Sequence, residues 1–136
     1  METFQLKVVN LSKRFTQHIL NDKQVRAFED VSFEVQQGTF VGLAGPSGSG
    51  KSSILKCIYG TYIPSGGQIF YQPAKGLALE LRSIPARQIT RLRKYEIGFV
   101  SQFLRPQPRT SALDIVARPL ISAGVDLKEA REQAQT

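Results

Sequence analysis

The residues with the clearest chemical potential are the eight at positions 45–52, which read Gly-Pro-Ser-Gly-Ser-Gly-Lys-Ser. This order fits G-x-x-x-x-G-K-[ST], the spacing of loops that wrap around phosphates. The glycines allow the backbone to curl so that successive N–H groups point at phosphate oxygens. An ammonium group on Lys51 suits the β- and γ-phosphates, and the hydroxyl of Ser52 suits Mg²⁺, which prefers oxygen ligands. The predicted phosphate site for MgATP comprises Gly45, Pro46, Ser47, Gly48, Ser49, Gly50, Lys51 and Ser52, with Ser53 near the α-phosphate.

Two core elements are predicted to hold this loop in place. Residues 39–44 are apolar without alternation, as expected for a strand that is covered on both faces. The segment after the loop is predicted to be a helix up to Tyr59, because Ile54, Leu55 and Ile58 fall on one side of it. The N-terminus of that helix adds the positive end of its dipole to the loop. A flexible Gly/Ser-rich linker has no reason to lie between two core elements, so the context favours a phosphate loop.

The other strands are predicted from alternating apolar residues and from turn residues. Half-buried strands are expected at residues 4–8 and 31–35, with a polar loop over residues 12–23 between them. A hairpin is expected from residues 68–71 and 77–81, since the turn residues Ala-Lys-Gly lie between these two runs. The first half of the chain is therefore predicted to be rich in antiparallel strands.

The second half is predicted to be mainly helical. Pro85 suits the first turn of a basic helix, and residues 97–100 read as a further strand. Ser111 can cap a second helix, which Gly124 would end, and Asp126 can cap a third.

Composition limits the classes of protein that this chain can belong to. It has 136 residues, of which 41% are hydrophobic, enough for the core of one domain. No apolar run approaches the roughly 18–20 residues that span a bilayer, and the first residues do not resemble a signal peptide. The single cysteine, Cys57, lies among apolar residues and is expected to be a buried, inert thiol. We expect a cytoplasmic protein.

The net charge of +7 is concentrated in one segment. Between Lys75 and Arg109 the basic residues outnumber the acidic ones, which are Glu80 and Glu96. Such a segment can bind acidic proteins or phosphorylated ligands, or it can be a solvated helix face. No aromatic platform or recognition-helix pattern accompanies the charge, so nucleic acid is not an expected partner.

With these elements in place, the chain resembles an ATP-binding-cassette (ABC) ATPase. The phosphate loop, the segment Ile-Gly-Phe-Val-Ser-Gln at residues 97–102 and an aromatic residue at Phe15 carry the resemblance. It implies that Gln102 helps to ligate Mg²⁺ and senses the γ-phosphate, and that Phe15 stacks on adenine. A surface glutamine and a phenylalanine packed in the core are the respective alternatives.

The resemblance also implies a fold. The fold class would be α/β, a P-loop NTPase of ABC type, with an antiparallel β-subdomain, a partial parallel core sheet and the start of the helical subdomain. Residues 1–136 would then be a partial nucleotide-binding domain. The family's signature motif LSGGQ begins a helix after the Q-loop glutamine, whereas Ser65-Gly66-Gly67-Gln68 precedes Gln102 and reads as a β-turn before a strand.

Several parts of the family's catalytic machinery are not found in the sequence. There is no apolar strand that ends in Asp-Glu, so neither a Walker B aspartate nor a catalytic glutamate is assigned, and His18 lies too early to be the switch histidine. We therefore expect an N-terminal portion that binds nucleotide weakly and hydrolyses none, and that needs a second ABC subunit in its full-length form.

Within the family, one resemblance is more specific. Residues 59–64, the hairpin through Leu81, residues 84–87 and above all residues 101–105 and 108–113 are similar to the ATP-binding subunit of the bacterial phosphonate carbon–phosphorus lyase system. It implies soluble lyase components as partners and a role in phosphonate metabolism. The alternatives left open are the motor of a membrane ABC transporter, with a permease as partner, a P-loop kinase for a small molecule, and a non-catalytic binding module.

Overall fold

The computed structural model describes residues 4–17, 21–46, 48–100 and 111–135, without the side chains of residues 114–116. The chain divides into two compact units, Met1–Pro85 and Ala86–Thr136.

The first unit is built on a four-stranded antiparallel sheet. The strands are β1 (Phe4–Gln17), β2 (Lys23–Gln36), β3 (Gly66–Tyr71) and β4 (Leu79–Glu80), and their order across the sheet is β2-β1-β3-β4. The hairpin from β3 to β4 confirms the prediction, with Phe70 opposite Glu80 and Tyr71 opposite Leu79.

The prediction of a polar loop over residues 12–23 is wrong for residues 12–17, which belong to β1. Residues 21 and 22 form a turn, and residues 18–20 lie outside the described residues. Both β1 and β2 continue well past the predicted strands, and their ladder pairs Lys13 with Phe28 and Phe15 with Val25. An antiparallel ribbon needs apolar residues on one face only, so polar side chains that face water give the sequence the appearance of a loop.

The core of the first unit lies between the sheet and one helix. Val8, Leu11 and Ile69 are almost fully buried on the sheet. Helix α1 (Lys51–Tyr59) follows the predicted bounds and buries Ile54 and Cys57. Leu55, which was predicted to share the apolar face, is instead exposed.

The strand predicted at residues 39–44 does not form. These residues have irregular backbone, and the side chain of Phe40 is 96% exposed. In the described part of the chain no strand lies beside this segment to complete its hydrogen bonds, and a strand without a partner is not stable. The same holds for residues 97–100 in the second unit, where Val100 is 80% exposed. The parallel sheet that these segments were predicted to begin is therefore not formed among the described residues.

The tetrapeptide at residues 65–68 does not begin a helix, as predicted. Gly66 starts strand β3 and Gly67 has a φ of 91°. The predicted β-turn is corrected in one respect, because residues 66–68 already belong to the strand. This segment therefore leads into strand β3 and has a structural role.

The second unit contains three helices, α2 (Ala86–Tyr95), α3 (Ala112–Ser122) and α4 (Leu127–Gln135). The three helices begin directly after Pro85, Ser111 and Asp126, and α3 ends two residues before Gly124, so their bounds agree with the predicted helix starts and end. Gly124 has a φ of 96° and donates its N–H to the carbonyl of Ile121 at 3.0 Å, which ends α3. Among the described residues, no helix has the length and apolar character needed to cross a membrane.

Candidate nucleotide-binding site

The loop before α1 has the curled backbone that its glycines predict. Gly48 and Gly50 have φ angles of 81° and 93°, a region that L side chains rarely adopt. The N–H of Ser49 donates to the carbonyl of Pro46 at 3.2 Å, which closes a tight turn, and the carbonyl of Gly50 accepts the N–H of Ile54 at 3.0 Å. The loop thus turns directly into the helix. Ser47 lies outside the described residues.

The start of α1 is electrostatically suited to an anion. No side chain caps the helix at Gly50, and its first turn contains no acidic residue. The first N–H groups of any helix lack intrahelical partners and carry the positive end of the helix dipole. A phosphate group at this end would therefore meet free N–H donors and no negatively charged side chain from the first turn of α1.

Lys51 places its ammonium group over the loop. The Nζ atom donates to the carbonyl of Gly45 and, at 3.2 Å, to the carbonyl of Pro46. Both partners belong to the loop itself, and the side chain is only half-buried. Carbonyl oxygens are weaker partners for an ammonium group than phosphate oxygens are, so a phosphate in the loop can replace them.

Two serines follow Lys51 in the first turn of α1. Ser52 is exposed and Ser53 is half-buried. Among the described residues, no group of three or more His, Cys, Asp or Glu side chains could hold a metal ion. Mg²⁺ is usually held by one or two protein oxygens together with substrate phosphates and water, and the exposed hydroxyl of Ser52 fits that arrangement. Gln102, the other predicted ligand, lies outside the described residues.

Phe15 lies near the end of β1 and is half-buried against an aromatic neighbour. Its ring meets that of Tyr62 edge to face, with centroids 5.2 Å apart and an interplanar angle of 81°. The ammonium of Lys13 lies 4.9 Å from the centre of the Phe15 ring. Packing and adenine stacking thus remain compatible for Phe15, because a half-buried ring keeps part of its surface accessible.

The sequence did not reveal the contribution of Tyr62 or Lys13. Alternation along β1 was the available signal for Lys13, because residues two apart on a strand share a face. Tyr62 comes from a separate segment after α1, so only the fold brings it to Phe15.

An ion cluster accompanies this part of β1. The carboxylate of Glu29 accepts hydrogen bonds from Arg14 at 2.8 Å and from Arg26 at 2.6 Å. These two arginines hold the pKa of Glu29 below its ordinary value. Glu29 thus balances part of the charge of these two arginines. Separately, the ammonium of Lys13 lies over the Phe15 ring and that of Lys56 over the Tyr62 ring.

A glycine-curled loop, a helix N-terminus and a lysine over the loop are together the features of a P-loop, the phosphate-binding loop of P-loop NTPases. The family model described as ABC transporter matches residues 28–136, and the chain belongs to that family.

Sequence similarity to individual proteins supports the family assignment. The chain is 38% identical over 112 residues to the lipoprotein-releasing system ATP-binding protein LolD of Idiomarina loihiensis, a match that covers 82% of this chain and 47% of the relative. It is 35% identical over 129 residues to an uncharacterized ABC transporter ATP-binding protein of Thermotoga maritima, covering 95% of this chain and 53% of the relative. The chain thus spans about half the length of the curated relatives it matches.

Solved structures support the same assignment. The dimeric structure of the ATP-binding cassette MJ0796 in a post-hydrolysis state, bound to ADP and Pi, superposes with a TM-score of 0.74 and 28% identity. The match covers 96% of this chain and 54% of the cassette. The predicted fold class, a P-loop NTPase of ABC type, is confirmed by this likeness.

Proposed function

We propose that this chain is the phosphate-binding part of an ABC-type ATPase and that the parent protein is the ATP-binding motor subunit of a membrane transporter. The observation that carries the phosphate-binding part of the proposal is the curled loop at the start of α1, with the ammonium of Lys51 held by the loop's own carbonyls. On binding, Lys51 exchanges these carbonyls for the β- and γ-phosphates of ATP.

The other site residues take the roles that the family resemblance implies. The backbone from Gly45 to Gly50 and the side chain of Ser53 surround the phosphates. Ser52, together with Gln102, ligates Mg²⁺, and Phe15 stacks on adenine. When bound, Mg²⁺ neutralises charge on the β- and γ-phosphates. The exposed position of Ser52 supports its part in this arrangement.

The relatives favour transport over phosphonate metabolism. One relative reported above is named as an ABC transporter ATP-binding protein and the other as the ATP-binding protein of a lipoprotein-releasing system, and neither name refers to phosphonate. Much of the segment that resembles the carbon–phosphorus lyase subunit, residues 101–105 and 108–110, lies outside the described residues. We therefore favour a permease as the membrane partner, a second cassette as the ATPase partner and the cytoplasmic face of the membrane as the location. The family assignment leaves a small-molecule kinase without support.

Nucleotide binding is tested by comparing Lys51→Ala with the wild type. Titration of MgATP should show at least a tenfold weaker affinity for the variant, because the cation that faces the phosphates is removed. Lys75→Ala, which removes the same charge from an exposed turn, should bind as the wild type does. Equal affinities for the wild type and Lys51→Ala would mean that the loop is inert.

The transport assignment is tested separately by affinity purification from the native host. Tagged protein should bring down an integral membrane permease after detergent extraction. Recovery of soluble carbon–phosphorus lyase components in its place would restore the phosphonate alternative.

A further inference from the structure

We propose that Tyr62 and Lys13 bracket the ring of Phe15 and fix it as a platform for the base of the nucleotide. Tyr62 would then be a positioning residue that sets how much the base adds to affinity. The proposal rests on the proposed function, in which Phe15 stacks on adenine, and adds to it two residues from different segments of the fold.

The two rings are arranged for mutual support. Phe15 and Tyr62 meet at 81° with centroids 5.2 Å apart, the edge-to-face geometry that aromatic pairs prefer. Such a contact restricts the rotation of the Phe15 ring but leaves the residue only half-buried. A fixed and partly accessible ring is what a stacking base requires.

Tyr62 is itself held by the end of α1. The helix ends at Gly60, whose φ is 93°, and the carbonyl of Lys56 accepts the N–H groups of Thr61 at 2.8 Å and of Tyr62 at 3.2 Å. The ammonium of Lys56 lies 3.4 Å from the Tyr62 hydroxyl and 5.2 Å from the centre of its ring. The position of Tyr62 is therefore set by the same short helix whose other end carries the phosphate loop.

Lys13 closes the bracket from the strand. Its ammonium donates to the carbonyl of Ile63 at 2.7 Å, which ties β1 to the segment that carries Tyr62. From there it lies 4.9 Å from the centre of the Phe15 ring and 5.9 Å from that of Tyr62. A cation over an aromatic ring is attracted by its electron-rich face, so one ammonium group fixes both rings.

Contacts through strand β2 link Lys13 to the phosphate loop. Lys13 pairs across the sheet with Phe28, and Phe28 and Ala27 lie against Gly50 at the start of α1. Lys13 beside the Phe15 ring and Gly50 of the phosphate loop therefore both contact the same part of β2, around Phe28. Because the ring is ordered before the nucleotide arrives, stacking does not have to pay the entropy of ordering it.

The proposal predicts a selective loss of affinity for ligands that carry a base. Tyr62→Ala should weaken MgATP binding about three- to tenfold and leave inorganic tripolyphosphate, which has no base, at the wild-type affinity. Tyr62→Phe keeps the ring and should bind both ligands as the wild type does. Tyr95→Ala removes an exposed tyrosine in the other unit and should change neither affinity.

The outcomes separate this proposal from the proposed function. An equal loss of ATP and tripolyphosphate in Tyr62→Ala, or no loss of either, would overturn the bracket. Failure of Lys51→Ala to weaken tripolyphosphate would instead overturn the phosphate site. If Tyr62→Ala does not fold, Tyr62→Leu keeps apolar bulk without the aromatic ring, and an unchanged ratio of the two affinities in that variant would be equally fatal.

Discussion

A β-carbon placed on Gly50 would lie 2.4 Å from the carbonyl oxygen of Ala27, so the start of α1 and strand β2 touch backbone to backbone. This contact fixes where the phosphate loop sits on the sheet. It also means that the second glycine of the loop motif has a packing role beside its conformational one.

We expect Gly50→Ala to be far more damaging than Gly48→Ala. Both positions have positive φ angles, which costs an alanine about 1–2 kcal/mol. Only Gly50 adds the overlap with Ala27, whereas a β-carbon on Gly48 meets nothing within 4 Å. Thermal unfolding and MgATP titration of the two variants would show the difference, and equal losses would contradict the packing role.

Gly67 gives a second prediction, which concerns the Ser-Gly-Gly-Gln segment. An added β-carbon there would lie 2.4 Å from the carbonyl oxygen of Asn10, at a φ of 91°. Gly67→Ala should therefore lower the free energy of unfolding by at least about 2 kcal/mol. The neighbouring Gly66 has open space around it, and Gly66→Ala should cost under about 1 kcal/mol. Chemical denaturation measures both, and a larger loss at Gly66 would refute the structural role of Gly67.

The helices and the phosphate loop could be predicted from sequence because their signals are local. Pro85, Ser111, Gly124 and Asp126 act on the backbone within one turn, and the helix bounds follow them closely. The contact between Phe15 and Tyr62 joins segments that lie far apart in the chain. No local pattern records such a contact, so it emerged only with the fold.

The strand prediction for residues 39–44 failed because, unlike a helix, a strand depends on partners from elsewhere in the chain. Their apolar run states a preference for burial but does not supply the neighbouring strands that burial requires. In the described part of the chain those neighbours are missing, and Phe40 is left 96% exposed. A local preference is thus satisfied only when the rest of the sheet is present.

Substitutions of Phe40 and Ile69 compare an exposed apolar side chain with a packed one by their effects on the free energy of unfolding. Phe40→Ser should change the free energy of unfolding by less than about 0.5 kcal/mol, since the side chain makes little packing contact. Ile69→Ala should cost about 2–5 kcal/mol, because Ile69 is only 1% exposed in the core. Phe40→Ser should also reduce self-association in light scattering, since it removes an exposed aromatic side chain. A large destabilisation by Phe40→Ser would show that residues 39–44 are packed.

Cys57, which lies near the C-terminal end of α1, provides a pH-dependent prediction. The thiol is 3% exposed, and burial raises its pKa above the ordinary value. A raised pKa in the folded state means that the unfolded chain loses this proton first as the pH rises. The contribution of the buried thiol to the free energy of unfolding is therefore fully present below about pH 8.5, the ordinary thiol pKa. It declines as the pH rises above that value.

Comparison of the wild type with Cys57→Ala isolates this effect. The alanine variant should be less stable at pH 7 because it leaves a small cavity, but its additional loss of stability between pH 7 and pH 10 should be smaller than that of the wild type. Urea unfolding at several pH values measures both slopes. In parallel, iodoacetamide should label Cys57 much more slowly in the native chain than in urea, since the thiolate is the reactive form and it is disfavoured by burial. Identical slopes together with rapid native labelling would show that this thiol is not buried in the folded protein.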